Sequence, residues 1–486
     1  MSTIHDQAMN YVYQQVLQRL LSFFSRAERT ALQLLIQRLV VAAGGMDNIG
    51  HFKVLVNQSG SRDSCYTLAL LRAAQLSLAV RAPATFQLRV ATLRWNGDSA
   101  MALQNIHRSY AALFLYDDPR VELLMVDHRE VLPFDYQAPI CDGGREANRI
   151  NLLLIAHRRT FSETLELWDD AYLATAEYYG QIARWNNGVD AMIGAESPRR
   201  QQHFMSGLSR ALQKAAISGP LASTAGFEVL FPLLDGLGGN FYREFYADEE
   251  QITWRPEGQY EACRRTGFVN INDMIVGKLE ERWPLLTEFL GFQADDLTLY
   301  QSDDEYADPL VAAHLRGLQA QIIEGRTYEA GVSEHLQSTL LEMRRKQVPE
   351  PVCEQLLASF GDLNDPEHLR AQSQAWLLAN FDLNEVQLTC LLFAPFIDHG
   401  AGLEQFLRHC HPGMLVALPD LHRAMQGQHA PEQVLKWMTE VSGLPVSLIV
   451  RLYAMGPMPA VCATPSLEDD LRAAAAAPDV DRSAEG

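Results

Sequence analysis

The sequence predicts an α/β protein: a parallel sheet domain preceded by helices and followed by a large all-helical region. Three observations predict it. Between residues 52 and 157, β-rich runs alternate with helix-length segments, the pattern of βαβ units. From Phe161 onward strand signals become rare. The chain has 486 residues, 48% hydrophobic and 21% charged, which is ordinary for a globular protein of two or three domains. The division expected is N-terminal helices over 1–45, the sheet domain over 46–190, a mainly helical extension over 191–308, a helical domain over 309–463 and a frayed tail over 464–486.

Taken in order, residues 4–43 read as two helices. Ile4, Ala8, Tyr11, Val12, Val16, Leu20 and Phe24 recur at helical spacing. Ser25-Arg26-Ala27-Glu28 has the capping-box form that starts a second helix. Ala31, Leu34, Leu35, Arg38, Leu39 and Ala42 continue one face of it, and Gly44-Gly45 stops it. Residues 52–57 form a short β-rich run, 58–63 a turn and 64–80 an apolar helix. Residues 86–95 are a second strand, 99–116 a second crossover helix, and 120–127 a third strand, apolar at its centre as a strand covered on both faces should be. After the Gly-rich turn Cys141-Asp142-Gly143-Gly144, the run 150–157 (INLLLIAH) reads as a fourth strand. Further helices are expected over 160–181, 199–218 and 271–290, a short strand at 252–254, and an acidic solvated loop over 295–308.

The net charge of −20 is uneven. Residues 1–130 hold 13 basic and 10 acidic side chains, a balance of +3, whereas the rest of the chain carries −23. That acidity disfavours a nucleic-acid partner, whose phosphates call for a basic surface. It also confines any anion site to the first 130 residues. No apolar stretch reaches the ~20 residues of a membrane span, and MSTIHDQAMN has no leader pattern. Seven scattered cysteines without a CxxC pair point to a reducing, cytoplasmic setting rather than to a disulfide framework.

Chemistry concentrates in the strand–turn–helix unit at 52–80. Its turn is Ser59-Gly60-Ser61-Arg62-Asp63-Ser64. A tight turn into a helix exposes backbone N–H groups beside the positive end of the helix dipole. Ser59, Ser61 and Ser64 add hydroxyls, Gly60 permits close backbone approach, and Arg62 adds a charge. The set suits a phosphate or pyrophosphate. In an open parallel sheet, ligands sit beyond the carboxyl ends of the strands, so all four expected strand ends would share one crevice. An ordinary N-capped turn uses the same residue types, with Asp63 or Ser64 as the cap.

This turn resembles the SGGxDS signature of the PP-loop ATP pyrophosphatases, a Rossmann-like superfamily that includes GMP synthetase, NAD synthetase and tRNA lysidine synthetase. The likeness covers about residues 50–185. The end of the third strand, Val126-Asp127-His128-Arg129-Glu130-Val131-Leu132, looks similar to that family's, and Ala156-His157 followed by Ser162-Glu163-Thr164 looks similar to its GHxxDDxxET pattern. Ser61 stands where the family has a second Gly, and Thr160 and Phe161 stand where it has paired acids. The resemblance implies ATP as the ligand, with Ser59, Gly60, Ser61 and Ser64 cradling pyrophosphate and Asp63 positioning Mg²⁺. It implies that Arg94, Trp95 and Asn96 border the adenine, and that Asp127, His157 and Glu163 face the reacting group. The chemistry implied is adenylation of a small-molecule or peptide acceptor with release of pyrophosphate. The altered residues favour a rival reading: a nucleotide-binding or protein-interaction scaffold without turnover, with a protein partner or a second copy of itself.

Other patterns carry less. His399, His409, His411, His422 and His429 surround Cys410, but i and i+2 residues do not share a helix face, so packed or solvated histidines are expected rather than a metal site. No P-loop, GxGxxG turn after a strand, or nucleophile elbow is present. The glycine-rich 236–240 turn and the aromatic cluster of Phe241, Tyr242, Phe245 and Tyr246 read as structural.

Overall fold

The computed structural model describes residues 2–82, 84–96, 100–127, 130–158, 178–179, 181–195, 264–275, 279–293, 309–345, 350–359 and 366–457. The expectations for 199–218, 236–246, 252–254, 295–308 and 464–486, and most of 160–181, fall outside these residues.

Two helices open the chain, α1 (Ser2–Phe23) and α2 (Arg26–Ala42). The capping box is formed: the Glu28 N–H donates to Ser25 Oγ at 3.2 Å, and the Ser25 N–H donates to Glu28 Oε2 at 2.7 Å. The chain then leaves the helical path through Gly44 and Gly45, both at positive φ. The sheet domain follows as β1 (Lys53–Asn57), α3 (Arg62–Arg81), β2 (Gln87–Leu93), α4 (Ala100–Ala112), β3 (Val121–Asp127), β4 (Glu130–Pro133), α5 (Asp142–Ala156), β5 (Ala191–Gly194) and β6 (Gly267–Asn270).

Among the described residues six strands lie in the order β4-β3-β2-β1-β5-β6, and of these only β4 runs antiparallel to its neighbour. The chain thus steps outward from β1 through β2 to β3, returns to the other side of β1, and steps outward again. Register follows the pleat. Leu55 pairs with Arg89 and with Met192, and Arg89 pairs with Glu122. Val54, Val56, Leu88, Val90, Ala191 and Ile193 face the core that α1, α2 and α3 cover. Because α3 lies between the sheet and the first two helices, residues 65–78 are buried around its whole circumference.

The expected fourth strand at 150–157 is α-helix instead. A continuous apolar run of that length fits a buried strand or a buried helix equally well. Here Leu152, Leu153, Leu154 and Ala156 are all buried in the core of the C-terminal helices, so α5 has almost no polar face over its last turns. The Gly-rich turn expected at 141–144 is the first turn of this helix, with Gly144 N–H donating to Cys141 Sγ at 3.1 Å. The missing parallel strands are β5 and β6. Each has only four residues, too few for a readable alternation, and together they carry the sheet past the boundary expected at residue 190. The third strand is buried only at Met125, Val126 and Asp127, and its first half is partly exposed. Beyond residue 309 the described chain is helical, from Pro309–Ile322 through Val446–Tyr453, around a second core.

A chain of polar contacts joins the amino ends of the strands. Arg89, fully buried on β2, donates to Glu122 of β3 at 2.7 Å and to the Trp185 carbonyl at 2.6 Å. Lys53 reaches Glu122 at 3.0 Å, and its N–H donates to Asp190, which Arg264 also holds. A second network lies behind α3. Arg72 and Asp118, both buried, pair at 2.7 Å, Arg120 joins Asp118 at 2.6 Å, and both guanidinium groups lie over the Tyr13 ring of α1.

Burial opposes ionisation of Asp118, but the hydrogen bonds and charges of Arg120 and Arg72 outweigh it and hold its pKa at about 2. Asp118→Ala leaves Arg72 buried and unpaired, with an expected loss of about 3–5 kcal/mol of stability, read from urea unfolding at pH 7. Since the folded pKa lies below the ordinary 3.8, the carboxylate's contribution is complete above that value and fades as pH falls through 2. The variant should lack that part of the acid transition.

Candidate functional site

The sheet order reverses at β1, and the crevice of such a reversal opens at the carboxyl ends of the strands on either side, here β1 and β5. The turn 58–61 leaves β1 at that point. Gln58 is buried and tied into the sheet, its N–H donating to the Ala91 carbonyl at 2.9 Å. Its Oε1 accepts from the Gly60 N–H at 3.1 Å and from the Ser64 hydroxyl. Gly60 has φ +75, and a Cβ there would stand 2.3 Å from the Ala102 carbonyl oxygen in the first turn of α4. Only glycine satisfies both the left-handed backbone and that approach.

Ser61 caps α3, accepting from the Ser64 N–H at 3.3 Å. The hydroxyls of Ser59, Ser61 and Ser64 form a triangle with sides of 3.0, 3.2 and 3.3 Å. Hydroxyl protons rotate freely, so the triangle can re-aim toward an anion entering above it. The expected pyrophosphate contacts are therefore gathered on one turn: Ser59, Gly60, Ser61, Arg62 and Ser64 all lie here. Asp63 lies beside them, between two guanidinium groups, with Arg62 at 3.3 Å and Arg282 at 3.6 Å.

The remaining expected residues are engaged elsewhere. Arg94 is buried and donates to the Ala138 carbonyl at 3.2 Å. Trp95 packs edge-on against Phe381 at 5.2 Å, and Asn96 donates to the Arg145 carbonyl at 2.8 Å while accepting from Asn148 at 3.2 Å. The end of β2 thus meets α5 and the Pro366–Phe381 helix. Asp127 is buried at the end of β3, where it accepts from the Cys141 N–H at 2.9 Å and from the Cys141 thiol at 3.4 Å. It secures the start of α5.

His157 is at the opposite end of that helix, whose 15 residues place its ends about 22 Å apart. It is fully buried, its Nε2 donates to the Ser442 carbonyl at 3.0 Å, and its ring meets Phe396 edge-on. The carbonyl can only accept, so the proton sits on Nε2 and Nδ1 is an acceptor without a partner among the described residues. His157 belongs to the C-terminal helical core, not to the crevice expected of it. Glu163, with Thr160, Phe161, His128 and Arg129, lies outside the described residues.

Comparison with protein-family models, with curated proteins and with solved structures found no match.

Three residues at the site carried no sequence signal. Ala102 closes on Gly60, Tyr178 donates to Asn57 at the end of β1 at 3.2 Å, and Arg282 reaches Asp63. No motif spans those separations. The histidines at 399–429 are apart from this site. His422 bonds the Tyr453 hydroxyl at 3.0 Å, and His409 and His411 lie against aromatic rings. Among the described residues no three His, Cys, Asp or Glu side chains converge on one point, and no helix is long and apolar enough to cross a membrane. The five described cysteines are free thiols.

Gly60→Ala is expected to cost about 2–4 kcal/mol, from the left-handed backbone and the clash with Ala102, measured as a lower urea midpoint. An unchanged midpoint would show that the turn is not under this constraint. For His157, burial pushes the pKa from 6.5 down to about 4, against the pull of the Ser442 carbonyl. Between those values the unfolded chain binds the proton and the folded chain does not, so stability is full above pH 6.5 and declines as pH falls toward 4. His314, also pushed down to about 4 by burial, acts in the same window. Unfolding of His157→Gln at pH 7.5 and pH 5 should therefore show a reduced, not abolished, acid decline.

Proposed function

We propose that the chain binds a nucleotide through its polyphosphate, with ATP the first ligand to test, in the crevice at the carboxyl end of β1. One observation carries the reading: the Ser59–Ser64 turn stands at the point where the sheet order reverses, with its three hydroxyls converging on the start of α3. The N-terminus of α3 adds its dipole to that point. The resemblance of this turn to SGGxDS of the PP-loop ATP pyrophosphatases supports the same ligand.

Binding without turnover is the form of the proposal favoured here. The resemblance to the PP-loop enzymes implies Asp127, His157 and Glu163 around a reacting group. His157 is enclosed among the C-terminal helices and Asp127 holds the start of α5. Magnesium does not fit Asp63 as it stands. Mg²⁺ takes oxygen ligands, commonly one or two carboxylates with the substrate's phosphates, whereas this carboxylate lies between two cations.

Isothermal titration with ATP, paired with chromatography of the nucleotides after incubation, tests the proposal. The expected outcome is saturable binding with ATP recovered intact. Replacing Ser59 and Ser61 together by Ala should weaken binding roughly tenfold or more, as loss of hydrogen bonds to a charged group requires. Absence of binding overturns the proposal. Release of AMP and pyrophosphate that depends on Ser59 would restore the adenylating reading.

A further inference from the structure

We infer that Asp63 is the resident counter-ion of an arginine pair, Arg62 and Arg282, and that this pair clamps a metal-free polyphosphate once the ligand displaces the carboxylate. The inference rests on the reading of the Ser59–Ser64 turn as a phosphate site and names the class of ligand and the residue that selects it. Arg282 stands on the short helix Leu279–Pro284, which continues into a π-helical turn, Leu285–Phe289. Its guanidinium carbon is 5.1 Å from the centre of the Tyr66 ring, which orients the group by cation–π attraction. Its side chain is 15% exposed, and its Nε is buried with no hydrogen-bond partner among the described residues.

That geometry differs from the structural arginines of the same chain. Arg72, Arg89 and Arg120 meet their carboxylates at 2.6–2.7 Å, and Arg72 and Arg89 add backbone carbonyls. Charge-assisted N–H···O bonds normally fall at 2.7–2.9 Å. Arg62 and Arg282 share one carboxylate at 3.3 and 3.6 Å. Two guanidinium groups thus share the Asp63 carboxylate at long distance, next in sequence to Ser64 of the hydroxyl triangle. A guanidinium presents a fork of donors that matches phosphate oxygens in pairs. Two forks and three hydroxyls suit a diphosphate or longer chain better than a single phosphate. A magnesium ion would compete with the arginines for Asp63 instead of assisting them.

Titration of the full chain with inorganic pyrophosphate in EDTA, and again with Mg²⁺, tests this. Arg282→Ala should weaken metal-free binding about tenfold or more, since a charge-assisted bond is lost. Arg282→Lys, which keeps the charge without the fork, should fall between that variant and the wild type, and it replaces the alanine variant if that one fails to fold by thermal melting. Asp63→Asn should tighten metal-free binding about threefold or more by removing the competing charge, and Mg²⁺ should not strengthen binding to the wild type. Unchanged affinity in both Arg282 variants overturns the inference, as does Mg²⁺-dependent binding that Asp63→Asn abolishes. If ATP binds and pyrophosphate does not, the arginine clamp fails while the nucleotide reading stands. If neither binds, both fall.

Discussion

The burial of β1 on both faces is the constraint from which the rest of the sheet domain follows. Val54, Leu55 and Val56 are all nearly inaccessible, and the strand is hydrogen-bonded on both edges. A strand in that position needs apolar cover above and below and a parallel partner on each side. α3 supplies the cover on one face, itself enclosed by α1 and α2, and the described residues 181–189 lie on the other, with Ile182 and Ala183 buried. The only way out for the chain is at the strand's carboxyl end, so the turn that leaves it is forced into the crevice. The tight fit of Gly60 against Ala102 is the local consequence.

The polar groups divide between the two ends of the strands. At the amino ends, Arg89, Glu122 and Lys53 pair across β1, β2 and β3, and Lys53, Asp190 and Arg264 tie β1 to the segments that enter β5 and β6. Glu122 is drawn below the usual carboxylate range: burial opposes the shift, and Arg89 and Lys53 outweigh it. At the carboxyl end of β1 the pairs of Asp63 with Arg62 and Arg282 are long, at 3.3 and 3.6 Å. Tightly paired charges mainly specify geometry, whereas loosely paired ones leave charge available to a ligand. This contrast is the physical basis for separating scaffold from site.

Legibility in the sequence followed length and locality. The capping box at Ser25–Glu28, the stop at Gly44-Gly45 and the first three strands with their two crossover helices were readable, because each depends on neighbours within a few residues. The run 150–157 misled because burial on all sides erases the polar face that distinguishes a helix from a strand. β5 and β6 were invisible because four residues show no period. At the site, the serines and Gly60 announced themselves as one turn. Arg282 did not, because its neighbours in space are remote in the chain.

By itself, the sequence determined the α/β class, the run of elements from α1 to β3, and the turn Ser59–Ser64 on which the proposed site is built. These rest on hydrophobic period, caps and glycine, which act between near neighbours. Only the tertiary structure decided which side of β1 the chain returns to, that 150–157 is helix, and that His157 belongs to the C-terminal core. It alone placed Arg282 beside Asp63. Those outcomes depend on which surfaces bury one another, and burial is a property of the packed chain rather than of any segment in it.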